Sequence, residues 1–205
     1  MVSVMVALCQ VYWEQDAGIP VLGFGKSDGS MSLDVRYFQQ RHPYFCGQAC
    51  AQMVLYMVED RVVSQFRLMD EMEFIEGGGT RNIYMYRPFE KRDVEGVSCS
   101  VFSSPAYLRR CVDRGAYSII NIRFDTSSSS GHYILVTGYN SSGFFVHDPW
   151  PGDWGEPEGR ETGADAFIET ELLVRLWAYR FFWVLSVSDP VDVADAIVPS
   201  GVDLE

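Results

Sequence analysis

Four residues, in one order, have the types and spacing for nucleophilic chemistry. Cys46 stands in QQRHPYFCGQACAQMVLYM, six positions after Gln40. His132 opens the run HYILVTGY, and Asp148 closes FFVHD 16 positions later. A thiol attacks a carbonyl only as thiolate, and free cysteine is mostly protonated near neutral pH. A helix N-terminus and an adjacent imidazolium both favour the anion. The imidazole must then protonate a leaving group, so its ring needs a partner that holds its orientation. The tetrahedral intermediate carries an oxyanion that needs fixed N–H donors. Cys46 is the candidate nucleophile, His132 the base, Asp148 the orienting residue, and Gln40 with the Cys46 backbone N–H the oxyanion donors. Gly47 would let a substrate chain approach unobstructed. Gly131, just before His132, and Trp150 are candidates for the substrate groove. Trp150 and Trp154 serve equally well as anchors of their loop.

These residues fall on recognisable elements. Pro43 keeps His42 out of a helix. A helix then runs from about Cys46 to Glu59, with apolar positions 46, 50, 53, 54 and 57 at helical spacing. This puts Cys46 in the first turn. A second amphipathic helix covers about Val62 to Ile75, and Gly77-Gly78-Gly79 reads as its stop. Residues 81–103 read as irregular strand and loop. Ser104-Pro105 supplies an N-cap and a first-turn proline for a helix ending at Gly115. YSIINIRF is a strand. DTSSSSG is a loop, and YILVTGYN, the turn NSSG and GFFVHD form a hairpin. The hairpin lays the outer ends of its strands side by side, which is where His132 and Asp148 stand. Ile168, Leu172, Leu173, Leu176 and Trp177 mark another helix, and RFFWVLSV is a last strand. Helices first and an antiparallel sheet after them make an α+β fold.

Length and composition narrow the function classes. The 205 residues, 47% hydrophobic and 14% aromatic, suit one domain with a substantial core. Net charge is −12, from 16 basic and 28 acidic side chains, which argues against nucleic acid and anionic membranes as partners. No apolar stretch approaches the ~20 residues of a membrane span. MVSVMVALCQ lacks the positive n-region of a signal peptide and reads as a first strand, as does 18–24. The expected location is the cytoplasm, or outside the cell by a non-classical route. Cys9, Cys46, Cys50, Cys99 and Cys111 are then reduced by default. If Cys46 is free, the other four allow two disulfides.

Tempting motifs fail on inspection. GFGKS is no phosphate loop, because Pro20 stands where that motif needs glycine. His42, Cys46 and Cys50 recur every four residues, but a structural zinc needs four ligands and none completes the set. No cofactor or metal is expected. Cys50 reads as core, and Gln39 as surface. His147 reads as surface or groove edge, since it points to the opposite side of its strand from Asp148.

The set Gln40-x5-Cys46-Gly47-x2-Cys50, His132-Tyr133, Gly138-Tyr139-Asn140 and Asp148-Pro149-Trp150 resembles papain-like bacterial cysteine peptidases. The similar families are the double-glycine leader peptidases that process bacteriocins, and secreted bacterial effector proteases. The resemblance covers roughly 35–187, with 1–34 as an N-terminal extension and 188–205 as a tail. It implies a helical subdomain carrying the nucleophile, packed on a twisted antiparallel sheet. It also implies hydrolysis of a peptide or protein amide through a Cys46 thioester. Two departures stop the substrate from transferring: the effector proteases carry Trp where this chain has Gly47, and the leader peptidases sit on a membrane transporter. The same residues also run transglutaminase or deamidase chemistry on protein Gln or Asn, and a catalytically silent binding module can keep the same fold.

Overall fold

The computed structural model describes residues 29–127, 129–150 and 163–188. The strands expected at 2–8 and 18–24, Cys9, Trp154 and the tail beyond Ser188 lie outside the described residues. In chain order the elements are β1 (Met31–Ser32), α1 (Cys46–Glu59), α2 (Gln65–Glu71), a 3-10 turn (Asn82–Tyr84) and α3 (Arg87–Glu90). Then come β2 (Val97–Ser100), α4 (Pro105–Asp113), β3 (Tyr117–Arg123), β4 (Gly131–Tyr139), β5 (Gly143–His147), β6 (Ala166–Glu169), α5 (Thr170–Ala178) and β7 (Val184–Val187).

The strands form one antiparallel sheet in the order β2-β7-β3-β4-β5-β6. β1 pairs Met31 with Tyr139 and Ser32 with Gly138, beyond the reach of β3 on β4. Strands β3 and β4 are buried along almost their whole length because both faces of the sheet are covered. Their odd positions Ile119, Tyr133 and Leu135 pack with Met53, Val54 and Leu55 of α1, Leu68 of α2 and Phe89 of α3. Their even positions Ile120, Ile122, Ile134 and Val136 pack with Leu108 and Val112 of α4 and Leu173, Leu176 and Trp177 of α5. The α+β fold read from the pattern is the fold found, with the helix bearing Cys46 against an antiparallel sheet.

Several elements differ from the sequence reading. α2 is shorter than 62–75: it runs Gln65–Glu71, and the left-handed backbone of Glu73 (φ 46°) stops it from continuing. Ile168 belongs to strand β6, paired with Phe144, and the helix starts only at Thr170. Residues 81–103 hold two short helical segments besides strand β2.

Three phenylalanines have left-handed backbones, Phe102 at φ 58°, Phe181 at 53° and Phe182 at 52°. The Phe102 N–H donates to the Phe181 carbonyl at 2.7 Å, and their exposed rings meet edge to face at 6.3 Å. Among the described residues no helix is long and apolar enough to cross a membrane.

Candidate active site

Cys46 opens α1. The turn before it is closed by the Phe45 N–H on the His42 carbonyl at 3.0 Å, and Pro43 sets its angle. No side chain caps this helix start and no acid stands in its first turn. Its partial positive charge is therefore directed at whatever lies in front of Cys46. In front of it is a groove of about 780 Å³, whose wall includes Gln40, Cys46, Gly131, His132 and Trp150.

His132 and Asp148 arrive from the hairpin. β4 and β5 pair Leu135 with His147, and an irregularity between Val136 and Gly138 adjusts the register. The result sets His132 Nε2 2.6 Å from Asp148 Oδ1, both residues almost fully buried. The same carboxylate oxygen accepts the Trp150 N–H at 2.9 Å. Phe124 stands edge-on to the imidazole at 5.1 Å and shields it from water. Because Nε2 is committed to Asp148, Nδ1 is the nitrogen left for Cys46, which also favours charge on the ring. Burial works against charge on His132. The Asp148 carboxylate outweighs burial, helped by Cys46, and the imidazole is pushed up to about 10. It is therefore an imidazolium at neutral pH. Burial pushes the Cys50 thiol, one turn further along α1, well above its ordinary value, so Cys50 stays protonated core.

Gln40 is held at the other side of the groove. Its Nε2 donates to the carbonyls of His42 at 2.7 Å and Pro43 at 2.9 Å, while its buried Oε1 has no partner. Its backbone N–H donates to the Pro149 carbonyl at 3.1 Å, which links this segment to the one carrying Asp148. A buried residue that the sequence reading missed fixes it further. Gln65 accepts the Arg41 N–H at 2.8 Å and donates to the Gln39 carbonyl at 2.9 Å, bracketing Gln40 on both sides. Gln52 of α1 in turn accepts from Gln65 at 2.8 Å. The signal for this clamp was present as two glutamines on the buried sides of helices, where an amide needs partners.

The structure thus brings together Gln40, Cys46, His132, Asp148, Gly131 and Trp150, and leaves one expected residue aside. Gly47 does not line the groove. It is pressed against the sheet, where a Cβ would stand 3.0 Å from the Met85 sulfur and 3.2 Å from the Tyr133 ring. Its small size lets α1 approach β4. His147 corrects the expectation of a surface position: it is buried, with Nε2 2.8 Å from the Val35 carbonyl and Nδ1 accepting the Asp165 N–H at 3.1 Å. Gly77-Gly78-Gly79, read only as a helix stop, forms part of the groove wall. No disulfide links Cys46, Cys50, Cys99 and Cys111.

This arrangement of a helix-borne thiol, a sheet-borne imidazole and a carboxylate along a groove is that of a thiol hydrolase. The sequence profile of the Peptidase C39-like family matches residues 32–170, and the chain belongs to that family of cysteine peptidases. No curated protein matches it. Among solved structures it is similar to a protein of Bacillus anthracis described as a C39-like peptidase, with 14% identity and a TM-score of 0.62, over 79% of this chain and 98% of that one. It is also similar to the peptidase domain of Streptococcus ComA, a bifunctional ABC transporter of a quorum-sensing pathway (14% identity, TM-score 0.56, 78% and 98% covered). A third is a double-glycine motif protease from an AMS/PCAT transporter, solved with its leader peptide (15% identity, TM-score 0.55, 77% and 92% covered). At these identities the likeness is one of fold, and it agrees with the papain-like architecture.

Proposed function

We propose that the chain hydrolyses peptide bonds with Cys46 as nucleophile, His132 as general acid and base, Asp148 as the group that orients and charges His132, and Gln40 with the Cys46 N–H as oxyanion donors. The observation that carries this reading is the line Cys46, His132, Asp148, ending in a 2.6 Å buried ion pair behind an open groove. The Cys46 sulfur attacks the substrate carbonyl carbon, and the carbonyl π pair moves onto oxygen. Collapse of that oxyanion expels the amine, which takes a proton from His132 and leaves a Cys46 thioester. Water then attacks the thioester while His132 takes its proton, and the sulfur departs as thiolate. Both Gln40 amide hydrogens rest on backbone carbonyls, so one exchanges its carbonyl for the oxyanion as the intermediate forms. That suits a donor meant to bind the transition state more tightly than the ground state.

The bound substrate chain runs between the glycine segment 77–79 and the end of the β3–β4 hairpin around Phe124 and Gly131. Trp150 covers one end. The leader peptide held by the transporter-derived relative makes peptides the natural substrate class to test first.

The test is mass spectrometry of a peptide library incubated with the protein. The expected product is cleaved peptide with water added, lost in Cys46→Ala. A gain of about one mass unit on Gln or Asn, without cleavage, would point to deamidation. Unchanged peptides together with an unreactive Cys46 would point to a binding module.

A further inference from the structure

The groove beside Cys46 carries charge of one sign. Its described wall includes Arg81 and Arg180 and no carboxylate, although the chain has 28 acidic side chains against 16 basic ones. Arg81 is exposed and Arg180 half-buried. Arg180 Nη2 donates to the Ser129 carbonyl at 2.5 Å, while its buried Nε has no partner. Among the described residues no carboxylate pairs with it. Three arginines outside the groove, Arg67, Arg87 and Arg92, do have carboxylate partners.

Asn121 of β3 lies next to it and is only 8% exposed. Its Nδ2 donates to Asn82 Oδ1 at 2.7 Å, and its own Oδ1 is buried without a partner. Both groups converge on Gly131. A Cβ on that glycine would stand 2.9 Å from Asn121 Oδ1 and 3.1 Å from Arg180 Nη2. Only glycine lets these two groups come so close to the chain, one residue from His132. They bring to the groove wall an unused acceptor and a guanidinium with donors to spare.

Buried polar groups are normally satisfied, and a cation is rarely desolvated without an anion. The ligand that completes this corner has an anionic group for Arg180 and an N–H for Asn121. A peptide carrying an acidic side chain supplies both. We infer that Arg180, with Asn121, forms a subsite for an acidic residue of the substrate close to the scissile bond, and that Arg180 is the specificity-determining residue of this peptidase. The inference rests on the hydrolytic reading above and narrows it to acidic peptides. The guanidinium takes the carboxylate in charge-assisted hydrogen bonds, and Asn121 Oδ1 accepts an N–H of the same substrate segment. A neutral side chain there leaves Arg180 unpaired as the groove is filled.

The probes are peptidyl acyloxymethyl ketones, which alkylate a catalytic thiol and expel a carboxylate. The series is identical except for Glu, Gln, Leu or Lys at each of the three residues preceding the warhead. At one of these positions Glu is expected to react about 10-fold or more faster than Gln or Leu, the size of a charged hydrogen bond, and Lys slowest. Arg180→Gln collapses the Glu-to-Gln ratio to about 1–3, Arg180→Lys restores part of it, and Arg180→Glu reverses the order in favour of Lys. Each readout is a ratio within one protein, so a general loss of activity does not imitate it. Cys46 alkylated equally fast by Glu, Gln and Leu at all three positions overturns the subsite and leaves the peptidase standing. A Glu preference that survives Arg180→Gln does the same. If no member of the series alkylates Cys46, the hydrolytic reading falls and the subsite falls with it.

Discussion

His132 and His147 stand on adjacent strands of one sheet, both 2% exposed, yet their surroundings have little in common. His132 faces a carboxylate on one side and a thiol on the other. His147 is hydrogen-bonded to the backbone on both sides, Nε2 to the Val35 carbonyl and Nδ1 to the Asp165 N–H, with only the exposed Asp165 carboxylate nearby, 3.6 Å from Nδ1. The first set of partners stabilises an imidazolium. The second ties the chain ahead of Gln40 to β5 across 112 positions. Burial alone therefore does not mark a functional histidine. The chemical type of its partners does.

The largest expected effect separates the two directly. His132→Ala should lower peptide hydrolysis about 10⁴-fold or more, as loss of one member of a cooperating set does, and Cys46→Ala should do the same. His147→Ala should instead lower stability by about 1–3 kcal/mol for each backbone group it orphans, read from urea midpoints, with far less effect on turnover. If His147→Ala silenced the enzyme at an unchanged midpoint, the contrast would be wrong.

The pH dependence sharpens the comparison. The folded state raises His132 from its ordinary 6.5 to about 10. Its imidazolium therefore favours the fold fully below 6.5 and loses that contribution as pH rises toward 10. Wild-type urea midpoints should fall over this window. Asp148→Asn, which removes the main raising partner, should flatten the fall.

Two smaller effects concern the frame. Gln65→Ala should cost about 1–3 kcal/mol by orphaning buried partners and should also slow turnover, because Gln39 and Arg41 lose their clamp. Gly47→Ala should cost about 1–3 kcal/mol by overpacking against Met85 and Tyr133. A Gly47→Ala protein that kept its midpoint but lost activity would return Gly47 to the groove.

Much of this was legible before any coordinates. Pro43 and the apolar spacing from Cys46 announced α1, and NSSG announced the hairpin that sets His132 against Asp148. Local signals of this kind are written within a few residues. What failed was long-range. Ile168 looked helical because its neighbours at 172, 173 and 176 are, and only pairing with Phe144 makes it strand. His147 looked exposed because strand alternation says which way a side chain points, not whether the 35–37 segment covers it. Gly77 to Gly79 and Arg180 reach the groove from widely separated parts of the chain, a proximity no local pattern encodes. The tight contact at Gly47 needs Met85 and Tyr133 in place before it is visible.

The left-handed backbones of Phe102 and Phe181 bear on how the rim of the groove tolerates change. Such a conformation costs a residue with a Cβ roughly 1–2 kcal/mol. The edge-to-face contact of the two rings returns about 0.5–1.5 kcal/mol. The sums nearly cancel, so glycine at either site should fold about as well as phenylalanine does. Thermal endurance has no need of these two rings, and selection on melting temperature alone would let them drift.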